Sequence, residues 1–223
     1  MTADPAGLPF GLVIFDCDGV LVDSERLSVD LDATFLAEVG WPMSRAEIID
    51  RFVGRTDAAM RAEIERHIGR DLDREWPALA ERYVQLLADE LQPVPGVASA
   101  IDAIQAAGLA TCVASSGGHE KIRRNLELTG LRDRFGERIF SGEDVVHGKP
   151  APDLFLHAAG AMGVEPGRCA VIEDSRHGVA AGRAAGMRVY AFGAGVTPAA
   201  MLAGPATTVF LDMAELPGLI AAG

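Results

Sequence analysis

The stretch VIFDCDGVLVDSE, residues 13–25, decides the fold, because an apolar run stops abruptly at a carboxylate. The run is short and rich in β-branched and aromatic residues, which is typical of a buried strand. Asp16 and Asp18 follow it two positions apart, and Gly19 comes next. Two like charges at the end of a strand repel each other unless protons or a cation neutralise them. The stretch therefore predicts a strand that delivers two carboxylates to a functional site.

Apolar runs of the same kind recur along the chain, with helical stretches between them. Short buried strands that alternate with helices are typical of a parallel sheet covered by helices on both faces. The predicted fold is therefore α/β, with a doubly wound, Rossmann-like parallel sheet as its core. The predicted strands cover residues 12–15, 109–114, 138–140, 169–172, 188–192 and 208–211.

The interval between the first two predicted strands is much longer than a crossover needs. Its apolar spacing predicts helices over about 27–39, 44–52, 57–68 and 76–91, and Ser44 and Glu47 form a capping-box pattern. The segment QPVPG, residues 92–96, indicates a boundary because it contains two prolines and a glycine. We therefore predict a core domain formed by residues 1–23 and 94–223, and an inserted α-helical cap domain formed by residues 24–93. Further core helices are predicted at 97–107, 120–129 and, as the C-terminal helix of the core, 178–185.

The composition argues against several kinds of partner. Lys and Arg number 20 against 32 Asp and Glu, which gives a formal charge of −12. Binding to nucleic acid through phosphate contacts needs basic patches, and no polybasic segment for an anionic membrane is present. No apolar run approaches the roughly 20 residues of a membrane helix. No obligate protein partner is evident, and an anionic substrate would need local positive charge.

The N-terminus and the cysteines indicate a cytoplasmic protein. Residues 1–11, MTADPAGLPFG, lack the basic and long apolar regions of a signal peptide. The 3 cysteines have no CxxC spacing and lie in or beside apolar runs, as expected in a reducing compartment. Cys17 lies between the two aspartates without an adjacent His or Lys to activate it, so we predict a buried hydrophobe there.

In an open α/β sheet, ligands bind beyond the carboxyl ends of the strands. Several carboxylates are predicted at the carboxyl ends of the strands, and such a dense group favours binding of a divalent cation. Ligands that are all oxygens favour Mg²⁺. An ionised carboxylate can then attack phosphorus, a second can protonate the leaving oxygen, and hydroxyl, amide and ammonium groups can hold the phosphoryl oxygens. The candidate residues are Asp16 and Asp18 after the first strand, Ser115, Ser116 and Gly117 after the second, Lys149 in the loop 141–152 after the third, and Glu173 and Asp174 after the fourth.

These residues occur in the order of four motifs, and the sequence resembles the haloacid dehalogenase superfamily. The similarity is to its β-phosphoglucomutase-like and sugar-phosphate phosphatase subgroup, whose mobile cap corresponds to the helical insertion. The matching segments are DCDGVLVDS at 16–24, Ser115, Lys149-Pro150, and Glu173-Asp174-Ser175 with Gly178.

The resemblance implies a role for each of these residues. Asp16 would be the nucleophile that forms an aspartyl-phosphate, and Asp18 the acid and then the base, with its carbonyl on Mg²⁺. Asp174 would be the other direct metal ligand, and Glu173 a ligand or its supporting partner. The two groups that would bind the transferring phosphoryl group are Ser115 and Lys149. Asp23 would brace the turn after the nucleophile rather than touch substrate.

The resemblance also ranks the possible activities. It implies a Mg²⁺-dependent phosphatase acting on a small phosphorylated metabolite, a sugar phosphate. A hexose-phosphate mutase is the first alternative, but Ser28 and Asp57 stand where the mutases carry a His and a phosphate-gripping Arg. Phosphonate hydrolysis needs a cap lysine, and residues 24–92 contain none. A phospho-acceptor domain of the receiver type is a remote alternative, because Asp18 suits turnover rather than a long-lived phosphoryl-aspartate.

Substrate specificity is expected to depend on the cap. The loop formed by residues 53–56 joins two cap helices, and its Arg55 either meets a carboxylate or second phosphate on the leaving group or is solvated. The roles of four other residues stay open at the level of sequence: His119, His147, Arg176 and His177.

Overall fold

Six strands form one sheet in the computed structural model, which describes residues 7–223. In chain order they are β1 (Leu12–Phe15), β2 (Ala110–Ser115), β3 (Ile139–Ser141), β4 (Cys169–Glu173), β5 (Arg188–Phe192) and β6 (Thr207–Phe210). Their order across the sheet is β3-β2-β1-β4-β5-β6, and every neighbouring pair is parallel. The predicted doubly wound sheet is confirmed, and each strand bound lies within one residue of its prediction.

Helices cover the sheet and fill the interval between β1 and β2. The helices are α1 (Glu25–Glu38), α2 (Arg45–Phe52), α3 (Asp57–Ile68), α4 (Glu75–Glu90), α5 (Val97–Ala106), α6 (His119–Leu128), α7 (Arg132–Phe135), α8 (Asp153–Ala161), α9 (Arg176–Ala184), α10 (Ala199–Leu202) and α11 (Leu216–Ala222). The prediction that the helix at 178–185 is the C-terminal helix of the core is wrong, because α10 and α11 follow it. The sequence of α11, LPGLIAA, contains a proline and a glycine, which argue against a helix in a prediction from sequence. Proline nevertheless fits the first turn of a helix.

The central strand β1 is buried on both faces, which explains its uninterrupted apolar sequence. Val13 and Phe15 belong to a hydrophobic cluster that includes residues of α5 and α11. Leu12 and Ile14 belong to the cluster on the opposite face, with residues of α8 and α9. Because β1 lies between β2 and β4, where the direction of chain winding reverses, its carboxyl end opens into the crevice that binds ligands in this class of fold.

Helices α1 to α4 have a hydrophobic cluster of their own, centred on Phe35, Leu36, Ile48, Ile64 and Leu79. The predicted capping box at the start of α2 is present, since the Ser44 hydroxyl accepts from the Glu47 amide and the Glu47 carboxylate accepts from the Ser44 amide. The chain returns to the sheet where the Asp23 amide donates to the Gln92 carbonyl at 2.9 Å. The four helices are called the helical insertion below.

Within residues 7–223, none of the helices has both the length and the apolar character needed to cross a membrane. The first six residues, on which the expectation of no signal peptide partly rests, lie outside the described residues.

Candidate active site

A buried lysine joins the ends of the two central strands. Asp16 directly follows β1, and Glu173 is the last residue of the neighbouring β4. Lys149 Nζ donates to Asp16 Oδ1 at 2.6 Å and to Glu173 Oε1 at 2.7 Å. A third bond, to the carbonyl of Ala114 at 3.2 Å, uses the last donor of the ammonium group. Lys149 is therefore held in one position by groups from three strands.

Burial and charge act in opposite directions on this group of residues. Burial alone would lower the pKa of Lys149, but the Coulomb attraction of Asp16 and Glu173 outweighs it and raises the pKa. Burial raises the pKa of Asp16 to about 7, although the charge of Lys149 opposes this shift. A cation beside Asp16 would favour its ionised form, which is the form that can act as a nucleophile.

Both carboxylate oxygens of Glu173 accept hydrogen bonds from the protein. Its Oε2 accepts from the amides of Asp174 and Ser175 at 2.8 Å each and from the Ser175 hydroxyl at 2.9 Å, while Oε1 accepts from Lys149. A Cβ on Gly178 would lie 1.6 Å from Glu173 Oε1, so a glycine is required there. In this arrangement Glu173 anchors Lys149 and the turn that follows β4.

Asp174 has the opposite character, because both of its carboxylate oxygens are buried without a hydrogen-bond partner among residues 7–223. Burial and the neighbouring Glu25 raise its pKa well above the ordinary value. Ligand oxygens of Asp16, Glu173 and Asp174 lie within 4.8 Å of one another. Unpartnered buried carboxylate oxygens, in a set made only of oxygen donors, fit a small divalent cation such as Mg²⁺.

Gly19 allows the turn after β1 to pass directly against this carboxylate. Its φ is +80°, and a Cβ there would lie 2.0 Å from Asp174 Oδ2. The first motif and the fourth motif are therefore in contact through a residue without a side chain. No other residue fits both the backbone conformation and the space.

We expect Gly19→Ala to destabilise the protein more than Gly40→Ala does. Both glycines have positive φ, and each substitution costs about 1–2 kcal/mol through the backbone alone. Only Gly19 faces Asp174, whereas nothing lies within 4 Å of a Cβ on Gly40. Urea unfolding of the two variants measures the difference; equal losses of unfolding free energy would show that the Gly19 contact is not tight.

Asp18 is held differently from Asp16. Its Oδ1 accepts from the Ser24 hydroxyl at 2.5 Å, and its Oδ2 forms an ion pair with Lys121 Nζ at 3.3 Å. Burial alone would raise the pKa of Asp18, but Lys121 and the Ser24 hydroxyl outweigh it and lower the pKa. Ser24 ends the first motif but was given no role from the sequence, and Lys121 was not predicted. Lys121 lies in the first turn of the helix that starts at the predicted Gly-rich turn, which is the signal that points to it.

The predicted hydroxyl cluster divides into two parts. The Ser115 hydroxyl is buried and accepts from the Gly117 amide at 3.3 Å, close to the end of β2. The Ser116 hydroxyl instead donates to the carbonyl of Gly54 at 2.9 Å. Ser116 therefore binds the helical insertion in this structure, while Ser115 and Gly117 lie on the wall of the cavity described below.

The loop Val53, Gly54, Arg55 and Thr56 docks on the core beside the fourth motif. The His177 ring donates through Nδ1 to the Val53 carbonyl at 2.9 Å. Gly54 has a φ of +81°, and a Cβ there would lie 2.2 Å from the Ser175 hydroxyl. The loop therefore contacts the core next to the second motif and at the fourth motif.

Arg55 reaches the cavity, but its charge is already paired. Its guanidinium forms an ion pair with Glu63 and donates to the carbonyl of Arg51.

Asp23, the third carboxylate of the opening stretch, pairs with Arg26 and has a side chain 42% exposed, so its amide rather than its carboxylate braces the turn.

The other residues left open by the sequence make local contacts. His119 pairs with Asp144, His147 with Asp153, and Arg176 with Asp50 of the helical insertion. Cys17 is buried in a hydrophobic cluster, and burial raises the pKa of its thiol, as expected for an inert core residue.

A cavity of about 720 Å³ lies between the helical insertion and the carboxyl ends of the strands. On the side of the insertion, the Tyr83 hydroxyl donates to Asp32, and burial raises the pKa of Asp32 to about 6. Ser28 and Asp57, the two positions that bear on the mutase alternative, also face this cavity. Its lining further includes Asp16, Asp18, Glu25, Val29, Phe52, Arg55, Met60, Val84, Leu87, Ser115, Gly117, Lys121, Arg123 and Arg124.

Comparison with known proteins identifies the family. The family model described as haloacid dehalogenase-like hydrolase matches residues 10–186. The 6-phosphogluconate phosphatase of Escherichia coli (strain K12) is 32% identical over 210 residues, which are 93% of this chain and 93% of that protein.

Two solved structures extend the similarity to the whole fold. A haloacid dehalogenase-like protein of unknown function from Agrobacterium tumefaciens is 36% identical, with a TM-score of 0.78 over 96% of this chain and 98% of that chain. A hydrolase of the same family from Deinococcus radiodurans, with bound phosphate and sodium, is 32% identical, with a TM-score of 0.74 over 96% of each chain. The prediction of a phosphoric monoester hydrolase is confirmed by this kinship. The chain belongs to the haloacid dehalogenase-like hydrolase family.

Proposed function

We propose that the protein is a Mg²⁺-dependent phosphatase that hydrolyses a small phosphorylated metabolite, a sugar phosphate, through an aspartyl-phosphate on Asp16. The observation that carries the proposal is the pairing of Asp16 with Lys149, beside the unpartnered oxygens of Asp174 and at the wall of a cavity large enough for a sugar phosphate. The name of the Escherichia coli relative, 6-phosphogluconate phosphatase, supports a substrate of this class. No nucleic acid, membrane or obligate protein partner enters the proposal.

Asp16, Asp174 and the backbone carbonyl of Asp18 would hold Mg²⁺. When bound, the ion offsets the negative charge of the carboxylates and of the phosphoryl oxygens. Glu173 would support these ligands, because its carboxylate holds Lys149 and the turn after β4.

The groups proposed for the attack lie at the carboxyl ends of β1 and β2 and in the loop that carries Lys149. Asp16 would attack phosphorus in line with the leaving oxygen, while Lys149 and Ser115 hold the phosphoryl oxygens as negative charge grows on them. Asp18 would give a proton to the leaving oxygen and later take one from the water that hydrolyses the aspartyl-phosphate. The low pKa of Asp18 suits its role as the base. Its role as the acid requires Lys121 to move away from Oδ2.

We further propose that the helical insertion, within residues 24–93, is a cap domain that closes over the substrate. Its separate hydrophobic cluster and the docking of the loop at residues 53–56 on two motifs support this assignment. The hexose-phosphate mutase alternative is tested in the same assay, because a mutase converts β-glucose 1-phosphate into glucose 6-phosphate without release of inorganic phosphate.

We expect phosphate release from a panel of phosphorylated sugars to disappear after thorough chelation and to return with Mg²⁺. The same ion should raise the melting temperature of the wild-type protein but not that of Asp174→Asn, which loses the charge of the proposed ligand. Asp23→Asn is the matched control, since Asp23 pairs with Arg26 at the surface. Activity that survives chelation, or a Mg²⁺-induced shift that persists in Asp174→Asn, would rule out this metal site.

A further inference from the structure

The cations that line the cavity differ in whether their charge is already paired. Lys121 pairs with Asp18, and Arg55 pairs with Glu63. Arg123 pairs with Glu137, although at 3.7 Å and near the surface. None of these groups is a free cation for an incoming ligand.

Arg124 is the exception, because it lines the cavity and its Nε has no hydrogen-bond partner among residues 7–223. Its Nε is buried and unpartnered, and the guanidinium stays charged at any physiological pH. A buried donor without a partner costs free energy, and a charged one costs more. A chain with a formal charge of −12 would be expected to pair such a group if no ligand used it.

The position of Arg124 separates it from the reacting phosphoryl group. It follows Lys121 by three residues on α6, so the two side chains lie on one face of the helix about 5–6 Å apart at Cβ. Lys121 contacts Asp18 and therefore marks the phosphoryl end of the cavity. Arg124 lies about one helical turn further along α6 and also lines the cavity, so it is separate from the residues that contact Asp18.

The acids that line the cavity would repel an anion. Asp32 and Asp57, both on the helical insertion, and Glu25 belong to its lining, and the charges of Asp32 and Asp57 interact with Lys121. These acids, with the Tyr83 hydroxyl, suit the hydroxyl groups of a polyol. A second negative charge on the substrate is therefore accommodated at one place, beside Arg124.

We propose that Arg124 determines specificity by binding a second anionic group, a carboxylate or a second phosphate, on the leaving group of the substrate. The inference rests on the proposed phosphatase function and names its substrate class: a phosphorylated polyol with an acidic group away from the phosphate that is cleaved. It also assigns the anionic group to Arg124 rather than to Arg55, for which the sequence left anion binding and solvation both open, because Arg55 pairs with Glu63.

The test compares substrates that differ in one group. 6-Phosphogluconate carries a carboxylate where sorbitol 6-phosphate carries a hydroxymethyl group, and fructose 1,6-bisphosphate carries a phosphate that fructose 6-phosphate lacks. The first pair reports on a carboxylate and the second on a phosphate. Steady-state kinetics with Mg²⁺ should give a higher kcat/KM for the anionic member of at least one pair in the wild-type protein.

We expect Arg124→Gln to lower kcat/KM for that anionic member by about 10- to 100-fold, which corresponds to the loss of hydrogen bonds to a charged group. The neutral member should change by less than about threefold, which shows that the variant is folded and active. Arg124→Lys should restore part of the preference, and Arg123→Gln, the matched control, should keep all of it because Arg123 pairs outward with Glu137.

The outcomes separate the two proposals. A wild-type protein that favours both neutral members, or an Arg124→Gln variant in which both members of a pair fall equally or not at all, overturns the role of Arg124 and leaves the phosphatase intact. A wild-type protein that hydrolyses none of these substrates and not even p-nitrophenyl phosphate overturns the proposed function, and the role of Arg124 falls with it.

Discussion

Asp16→Asn will reduce phosphatase activity by more than about a thousandfold, as expected when the nucleophile of a covalent mechanism is removed. The amide has the shape of the carboxylate but cannot form the aspartyl-phosphate. Glu173 continues to hold Lys149 through its bond of 2.7 Å, so the fold should survive. Release of phosphate from p-nitrophenyl phosphate, with Mg²⁺ present, measures the loss.

The matched control for this substitution is Asp23→Asn, which changes an exposed acid of the same loop. It should retain nearly all of the wild-type activity. Asp16→Asn should in addition keep the circular dichroism spectrum of the wild-type protein, which separates loss of chemistry from loss of fold. A variant that hydrolyses p-nitrophenyl phosphate at close to the wild-type rate would show that Asp16 is not the nucleophile.

Lys149→Met should remove activity and also lower the free energy of unfolding by about 3–5 kcal/mol. The Lys149 side chain is 1% exposed and is the cation that neutralises both Asp16 and Glu173. Methionine fills a similar volume but leaves two buried carboxylates close together. Chemical denaturation and phosphate release, measured on the same preparation, test both effects.

A double substitution tests whether charge is the cause of the instability. In Lys149→Met with Asp16→Asn, one of the two uncompensated carboxylates becomes neutral, so the double variant should be more stable than Lys149→Met alone. The two residues are in contact, and a coupling energy between them is therefore expected. Additive losses of stability, or a Lys149→Met variant as stable as the wild-type protein, would contradict this account of the buried charges.

The parts of the fold that depend on local patterns were predicted from the sequence. The strand β1 follows from one apolar run, and the start of α2 follows from Ser44 and Glu47. The placement of Asp16 and Lys149 at the same end of the sheet follows from the rule that parallel strands present their carboxyl ends together. Each of these predictions needs only neighbours in sequence or a general property of parallel sheets.

The missed features depend on contacts between elements distant in sequence. Lys121 matters because α6 brings it to Asp18, and Glu25 matters because the turn at Gly19 brings it to Asp174. The same limit applies to Arg55, since only the conformation of its loop against α3 shows that Glu63 pairs with it. Charge partners across elements are set by tertiary packing, for which a single sequence carries no periodic signal.

The docking of the loop at residues 53–56 on the core limits how the substrate range of the protein can change in evolution. The Thr56 methyl group faces two core glycines so closely that a Cβ on Gly142 or Gly148 would lie 3.1 or 3.0 Å from it. A helical insertion grafted from a relative would therefore close only over a core with matching small residues at these two positions. We therefore expect a new specificity in this chain to require paired changes, one in the insertion and one in the core loops between β3 and α8, rather than exchange of the insertion alone.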